Sequence, residues 1–173
     1  MGRIILNQAE TSTSDKLVKC TRFRNNTRTN LSDGSSGVIW SGSFTKEYDA
    51  STSWILMEGM LPGVNNYSDQ CGVFAMLNGA STSNDSPRHR GVHYSGVNED
   101  QSWARFILYV HRIIDNSDST QELGSGSRTW SVGWSTRNGS SGDKPFELWN
   151  PNSSDDARNQ QCGSIMSIYE YLY

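Results

Sequence analysis

Apolar and polar residues alternate along most of the chain, which is the pattern of β-strands that bury one face. In SGVIWSGSFTKEY, the apolar residues Val38, Trp40 and Phe44 share one predicted face. The segment SRTWSVGWST places two tryptophans and a valine on a common face: Trp130, Val132 and Trp134. Asn-Gly and Pro-Gly pairs follow several of these runs and predict tight turns.

Two further segments carry information about the sheets. TSWILMEGML, residues 52–61, is apolar on both faces, so we predict that it lies inside a sheet. SWARFILYVHRIID, residues 102–115, fits a strand with Phe106, Val110 and Ile114 on one face. It also fits a helix in which Ile113 replaces Ile114 in the apolar stripe. Aromatic and β-branched residues are frequent in this segment and favour the strand.

Together these patterns predict an all-β fold. We count roughly nine or ten strands at about 8–15-residue spacing and find no convincing helix, which is typical of an antiparallel β-sandwich of the jelly-roll type. Alternation is weaker before residue 37. We therefore divide the chain into residues 1–36, an N-terminal arm or a set of edge strands, and residues 37–173, the jelly-roll domain.

Composition and charge argue against several function classes. The net charge is −3 and the basic residues are scattered, so nothing indicates a nucleic-acid partner. No apolar run has the length of a signal peptide or a membrane span, and we expect neither secretion nor membrane insertion. Cys20, Cys71 and Cys162 are odd in number and widely spaced, so we interpret them as reduced, mostly buried thiols. A bridge between Cys71 and Cys162 stays open.

No combination of acid, base and nucleophile is visible, and we predict that the chain is not an enzyme and holds no cofactor or metal. His89 and His93 have a zinc-like spacing without a third ligand, and residues 115–122 resemble a calcium loop that lacks its glycine and glutamate. Calcium binding stays open for that loop. Trp149 is a candidate for stacking on a host glycan, and packing in the core is the alternative for the tryptophans.

The last segment, SIMSIYEYLY, carries apolar residues on both faces. Such a strand is predicted to lie centrally in a sheet, and an outward face of this kind should be covered by another subunit. A tyrosine ring is apolar while its hydroxyl can meet water or a neighbour. We therefore predict that Tyr169, Tyr171 and Tyr173 form an oligomer interface.

This closing segment resembles a known family. Jelly-roll virion modules of marine and cyanobacterial phages end in a strand of the form small-apolar-small-apolar-Met-Glu-Ile. In SIMSIYEYL, Ser167, Ile168 and Glu170 are in place, and Tyr169 and Tyr171 stand where methionine and isoleucine usually sit. IIDNSDSTQELGSGSRTWSV is similar to the Asn/Ser-rich loop and following strand of the family, and FTKEYDASTSWILMEGML to its second strand. The resemblance covers roughly residues 37–173.

The resemblance implies a TNF-like jelly-roll homotrimer on a phage virion, with the last strand near the threefold axis. It implies a capsid decoration (cement) protein that binds the major capsid protein or other virion proteins and assembles in the host bacterial cytoplasm. We assign the capsid or partner contact to one basic cluster, Arg22, Arg24 and Arg28, for which a solvated strand and loop is the alternative. Two alternatives stay open: a tail-fibre or knob receptor binder, and a carbohydrate-binding module that uses Trp149 with loops 81–90 or 150–161.

Overall fold

The computed structural model describes residues 15–31, 36–65, 71–77, 92–94, 104–117, 123–136, 148–150 and 163–173. Every regular element in these ranges is a β-strand. The strands are β1 (Lys16–Asn25), β2 (Thr29–Asn30), β3 (Ser36–Lys46), β4 (Ser53–Asn65), β5 (Cys71–Leu77), β6 (Val92–Tyr94), β7 (Ala104–Ile114), β8 (Gly126–Thr136), β9 (Leu148–Trp149) and β10 (Ser164–Leu172).

The strands form two antiparallel sheets. In the first sheet the order is β1-β10-β4-β7, and the two-residue strands β9 and β2 extend it beyond the end of β10. In the second sheet the order is β3-β8-β5-β6. If β2 and β9 are set aside, this is the strand order of a jelly roll, in which nearly every connection passes from one sheet to the other. The all-β class and the jelly-roll sandwich are therefore confirmed.

Tryptophan rings dominate the core between the sheets. Trp130 is fully buried and lies 5.0 Å from Trp40 and 4.9 Å from Phe23, measured between ring centroids. Trp40 in turn lies 5.8 Å from Trp149, so the cluster continues towards β9. Gly42 lies opposite Trp130, and a Cβ at this position would be 2.9 Å from the indole nitrogen. The glycine therefore makes room for the largest core side chain.

The chain-terminal strand β10 occupies the interior of the first sheet. It pairs with β1 along one edge and with β4 along the other. Residues 16–25 are thus an edge strand of the sandwich, while residues 1–14 lie outside the described residues. The boundary that we placed at residue 36 stays a prediction.

The choice of strand over helix for residues 102–115 is confirmed by β7, in which Val110 and Ile114 are buried as expected. Val38 was placed on the wrong face: it is 52% exposed, because a bulge between Val38 and Trp40 shifts the register and puts Ile39 in the core. The prediction that the cysteines are mostly buried is wrong for Cys20, which is exposed on the edge strand.

Several predictions concern positions outside the described residues. Cys162 and the side chain of Cys71 are among them, so the bridge between them stays open. His89, the side chain of His93 and most of the loop after Asp115 lie outside as well.

Candidate interaction surface

The outward-pointing side chains of β1, β10, β4 and β7 form one continuous surface, which we call the outer face. Nine large hydrophobic residues are exposed among the described residues, and seven of them lie on this face. They are Leu17, Met60, Ile107, Tyr109, Ile113, Ile165 and Tyr173. Single exposed apolar residues are ordinary, whereas a contiguous group of this kind indicates an interaction site.

Register arranges the outer face in rows that run across the strands. One row is polar on all four strands, and we call it the polar row: Arg22, Ser167, Glu58 and His111. The row on one side of it consists of Cys20, Tyr169, Leu56 and Ile113. The row on the other side consists of Arg24, Ile165, Met60 and Tyr109. A single polar band thus crosses an otherwise mostly apolar surface.

Two contacts order the polar row. The Nε of Arg22 donates to Oγ of Ser167 at 3.3 Å, which leaves Ser167 only 5% exposed. At the other end, Nδ1 of His111 lies 3.2 Å from Oε1 of Glu58. The side chains of His111 and Glu58 are 62% and 45% exposed, so this pair faces solvent in the single chain.

Aromatic rings form a ladder at one end of the outer face. Tyr171 stacks on Trp54 with centroids 4.4 Å apart and planes 12° from parallel. Its ring also lies 6.4 Å from that of Tyr169. Because Trp54 on the neighbouring strand covers one face of the Tyr171 ring and Tyr169 lies beside it on the same strand, the ladder offers ring edges and hydroxyls outward more than free ring faces. The hydroxyl of Tyr173 lies 3.4 Å from the backbone nitrogen of Asn116, beyond the end of β7.

On β3 and β8, the described outward positions of the second sheet have the opposite chemistry. Its exposed positions on β3 and β8 carry hydroxyl side chains: Ser41, Ser43, Thr45, Ser127 and Thr129. Val38 is the exception, because of the bulge. The difference between the two sheets shows that the apolar character of the outer face is not a general property of the surface.

The outer face has the dimensions of a protein interface. From Trp54 to Met60 it extends six residues along β4, about 20 Å at about 3.3 Å per residue, because Pro62 is buried. Four strands with their side chains are about 20 Å wide, so the projected area is on the order of 400 Å², within the range of functional patches on monomers. Because side chains project from the sheet, the accessible area of the outer face is larger than its projected area. It is therefore closer to the roughly 800 Å² that each partner contributes to a stable complex.

A buried ionic cluster fixes the strand that presents the tyrosines. Glu170 on β10 is 2% exposed, and its carboxylate accepts the backbone N–H groups of Glu47 and Tyr48, both at 2.9 Å. It also accepts the Ser53 hydroxyl at 3.1 Å and lies 3.3 Å from Nζ of Lys46. Lys46 is itself 1% exposed and donates to the carbonyl oxygen of Tyr48 and to Ser53.

The pKa directions in this cluster reflect its construction. Burial alone would raise the pKa of Glu170, but the two backbone N–H groups, Lys46 and Ser53 outweigh it, and the pKa lies below its usual value. Burial lowers the pKa of Lys46, and the attraction of Glu170 only partly opposes this. Glu170 is therefore the better stabilised charge of the pair.

The predicted site residues lie in different parts of the structure. Tyr169, Tyr171 and Tyr173 lie on the outer face, with Tyr173 47% exposed. Arg22 and Arg24 lie on the same face at its β1 edge, while Arg28 is exposed in the turn between β1 and β2. These positions fit contact roles, but they do not test them.

Trp149 corrects one premise. The glycan contact that we considered for Trp149 requires an exposed ring, but the residue is only 4% exposed and its Nε1 donates to Oγ of Ser164 at 2.7 Å, which agrees with the alternative of packing in the core. Ser164 donates in turn to Oδ1 of Asn150 at 2.7 Å. A ring held in this buried network has no free face for a sugar, so we do not propose a glycan contact at Trp149.

Sequence analysis missed the β4 and β7 half of the outer face, including Glu58, Met60, Tyr109 and Ile113. A signal was present: in the strand interpretation of residues 102–115, Tyr109 and His111 lie opposite the core side. What alternation alone cannot give is the partner of each residue on the neighbouring strand.

The described residues contain no group of three or more His, Cys, Asp or Glu side chains that could hold a metal ion. No helix long and apolar enough to cross a membrane occurs among the same residues.

The fold and the outer face define a jelly-roll sandwich in which one sheet surface is mostly apolar and exposed among the described residues. No protein-family model matches the chain, and no curated protein matches it. Among solved structures, the chain is similar to infectious bursal disease virus of the Gt strain, with a TM-score of 0.47 and 12% identity over 99% of this chain.

A VP2 protein of infectious bursal disease virus gives a TM-score of 0.46 at 13% identity, again over 99% of this chain. The chain spans 40% of the length of each of these two viral chains. The native virion of Kashmir bee virus at acidic pH gives a TM-score of 0.25 at 11% identity, over 99% of this chain and 82% of the other. The jelly-roll assignment rests on the strand order of the chain itself.

Proposed function

We propose that the chain is a non-enzymatic structural subunit of a phage virion that assembles as a homotrimer through the outer face. In its specific form it is a capsid decoration protein, TNF-like in its association, that is assembled in the host bacterial cytoplasm. The observation that carries the proposal is the apolar outer face, in which seven of the nine exposed large hydrophobics of the described residues come together. The virion as location follows from the resemblance of residues 37–173 to phage jelly-roll modules.

A second copy is the occupant that fits the outer face best. The face supplies a substantial part of the area that each subunit contributes to a stable interface, and most soluble oligomers are closed symmetric assemblies of identical subunits. Tyr169, Tyr171 and Tyr173 would then be covered by neighbouring copies. A glycan fits less well, because the rings of Tyr171 and Trp54 already stack on each other.

The predicted capsid or partner contact consists of Arg22, Arg24 and Arg28. We keep Arg24 and Arg28 as the proposed contacts to the major capsid protein or another virion protein, together with residues 1–14, because Arg22 belongs to the polar row of the outer face. A truncated chain should retain Lys16–Asn25, because removal of this edge strand would expose the backbone of β10. Deletion of residues 2–14 should therefore abolish attachment to particles and leave the oligomer intact. Full attachment of the truncated chain would refute the proposed role of this segment.

The oligomer is tested by the mass of the purified chain in light scattering. A homotrimer gives three times 19.3 kDa, or 57.9 kDa. Ile113→Asp, at a position 57% exposed on the outer face, should reduce the mass to 19.3 kDa without unfolding the chain. Val38→Asp is the matched control, since Val38 is 52% exposed on the second sheet and should leave the mass unchanged. A wild-type mass of 19.3 kDa would overturn the proposal.

The virion location is tested separately on particles of the virus that encodes the chain. Antibodies against the chain should detect it in purified particles, and gold-labelled antibodies should decorate the capsid. Gold label found only on the tail would refute the decoration role and support the tail-fibre or knob role. Purified particles that lack the chain would overturn both roles.

A further inference from the structure

The polar row presents a difficulty for any partner that covers the outer face. Arg22 at the β1 edge and Glu58 at the centre of the outer face carry full charges between rows that are mostly apolar. Covering an apolar side chain is favourable, whereas covering an unpaired charge is unfavourable. A partner must therefore supply an opposite charge at each of the two positions, or the polar row would oppose association.

Among the described residues, neither charge is neutralised by a full opposite charge of its own chain. Arg22 donates to the neutral hydroxyl of Ser167, and among the described residues no carboxylate lies within salt-bridge distance of it. Glu58 has the imidazole of His111, which is charged only when protonated. Strand β10 separates Arg22 from Glu58, with two strand spacings of about 4.8 Å between their backbones.

The two charges are complementary to each other across copies. Within the polar row, each chain offers one guanidinium, that of Arg22 at the β1 edge, and one carboxylate, that of Glu58 at the centre of the outer face. We propose that Arg22 of one copy pairs with Glu58 of the next copy, so that the polar row sets the register of self-association. This inference rests on the proposed function, because it names the contact that orients the proposed oligomer.

The position of Arg22 suits a ring of identical copies. Because β1 is the edge strand and β4 is central, the β1 edge of one copy would lie over the β4 and β7 half of the next. That half carries Met60, Tyr109 and Ile113, which are all more than 40% exposed. One contact would then bury the apolar rows and pair the charges in the row between them.

Charge reversal tests the pair. Arg22→Glu and Glu58→Arg each place like charges in contact and should each weaken assembly by about a hundredfold in concentration. The double variant Arg22→Glu/Glu58→Arg restores opposite charges at every contact and should recover the wild-type mass. Ser43→Arg, at an exposed site on the second sheet, is the control for added charge and bulk and should assemble as the wild type does.

The outcomes separate this inference from the proposed function. If the wild type assembles but either single reversal keeps the wild-type mass, or the double variant stays dissociated with an unchanged melting temperature, the Arg22–Glu58 pair is wrong. If the wild type is monomeric, the pair and the homotrimer both fail.

Mixing the two single variants reports the symmetry. In a mixture, opposite charges meet at positions 22 and 58 only where an Arg22→Glu chain contacts a Glu58→Arg chain. A twofold pair can satisfy both of its contacts in this way, but a ring of three always places two like variants together. Recovery of a closed oligomer on mixing would therefore overturn the trimer while supporting the ion pair, and failure to recover is expected for three copies.

Discussion

Replacement of Glu170 by glutamine should destabilise the fold strongly, because it leaves Lys46 charged and buried without its partner. Both side chains are nearly inaccessible, at 1% for Lys46 and 2% for Glu170. Removing one member of a buried ion pair typically costs about 3–5 kcal/mol. For a chain of this size, about 2–4 °C of melting temperature corresponds to each kcal/mol, so we expect a loss of about 6–20 °C.

The reverse substitution should be milder. Lys46→Met removes a group whose burial already lowers its pKa, and Glu170 keeps the backbone N–H groups of Glu47 and Tyr48 as well as the Ser53 hydroxyl. Loss of one charge-assisted hydrogen bond corresponds to roughly 2 kcal/mol. Which of the two variants loses more free energy of unfolding is therefore a stricter test of this description than either loss alone.

The decisive measurement is a double-mutant cycle by urea unfolding. Adding Lys46→Met to the Glu170→Gln variant should recover stability, because it removes the orphaned ammonium group. Circular dichroism at each denaturant concentration gives the free energies of unfolding. Strictly additive losses, or a Lys46→Met variant less stable than Glu170→Gln, would show that the pair does not work as described.

Three further predictions concern acid, packing and assembly. Folding lowers the pKa of Glu170 from its usual value of about 4.5, so its contribution to stability is present above about pH 4.5 and is lost as the pH falls through the folded-state pKa. The melting temperatures of the wild type and Glu170→Gln should therefore converge on acidification. A difference in melting temperature that does not change with pH would contradict this. Gly59→Ala should cost about 1–3 kcal/mol in urea unfolding, since its Cβ would lie 2.6 Å from Cε of the buried Met166; an unchanged midpoint would contradict it. Cys20 should react with maleimide more slowly in the assembled wild type than in Ile113→Asp, as measured by peptide mass spectrometry, because the outer face around it is covered; equal rates would place Cys20 outside the interface.

Alternation predicted most of the longer strands and several of their core faces, although Pro62-Gly63, which we predicted as a turn, lies inside β4. Trp130, Val132 and Trp134 are buried on one face as expected, and residues 52–61 lie inside a sheet because both of their faces are apolar. These predictions succeed because the period of a strand is local. The wrong face predicted for Val38 is equally local in origin. One extra residue in a bulge reverses the faces of the strand, and no residue type in this segment predicts a bulge.

The buried charges could not be predicted in the same way. Lys46 and Glu170 are residue types that normally face water, and they are buried only because the chain brings them together from positions 124 apart in sequence. The polar row depends likewise on the registers of three strand pairs. Long-range pairing, rather than composition, therefore decides where the charges of this protein lie.

Strand β10 connects the stability of the fold to the surface proposed for assembly. Its inward residues Met166, Ile168 and Glu170 join the core and the ionic cluster, while its outward residues carry the polar row and the tyrosines. Because successive residues of a strand point to opposite faces, a shift of one residue would bury the tyrosines and expose Glu170. The carboxylate accepts hydrogen bonds from four donor groups only in the observed register. Glu170 thus holds the outer face in register although it does not belong to it, and substitutions there should weaken assembly only as far as they loosen β10.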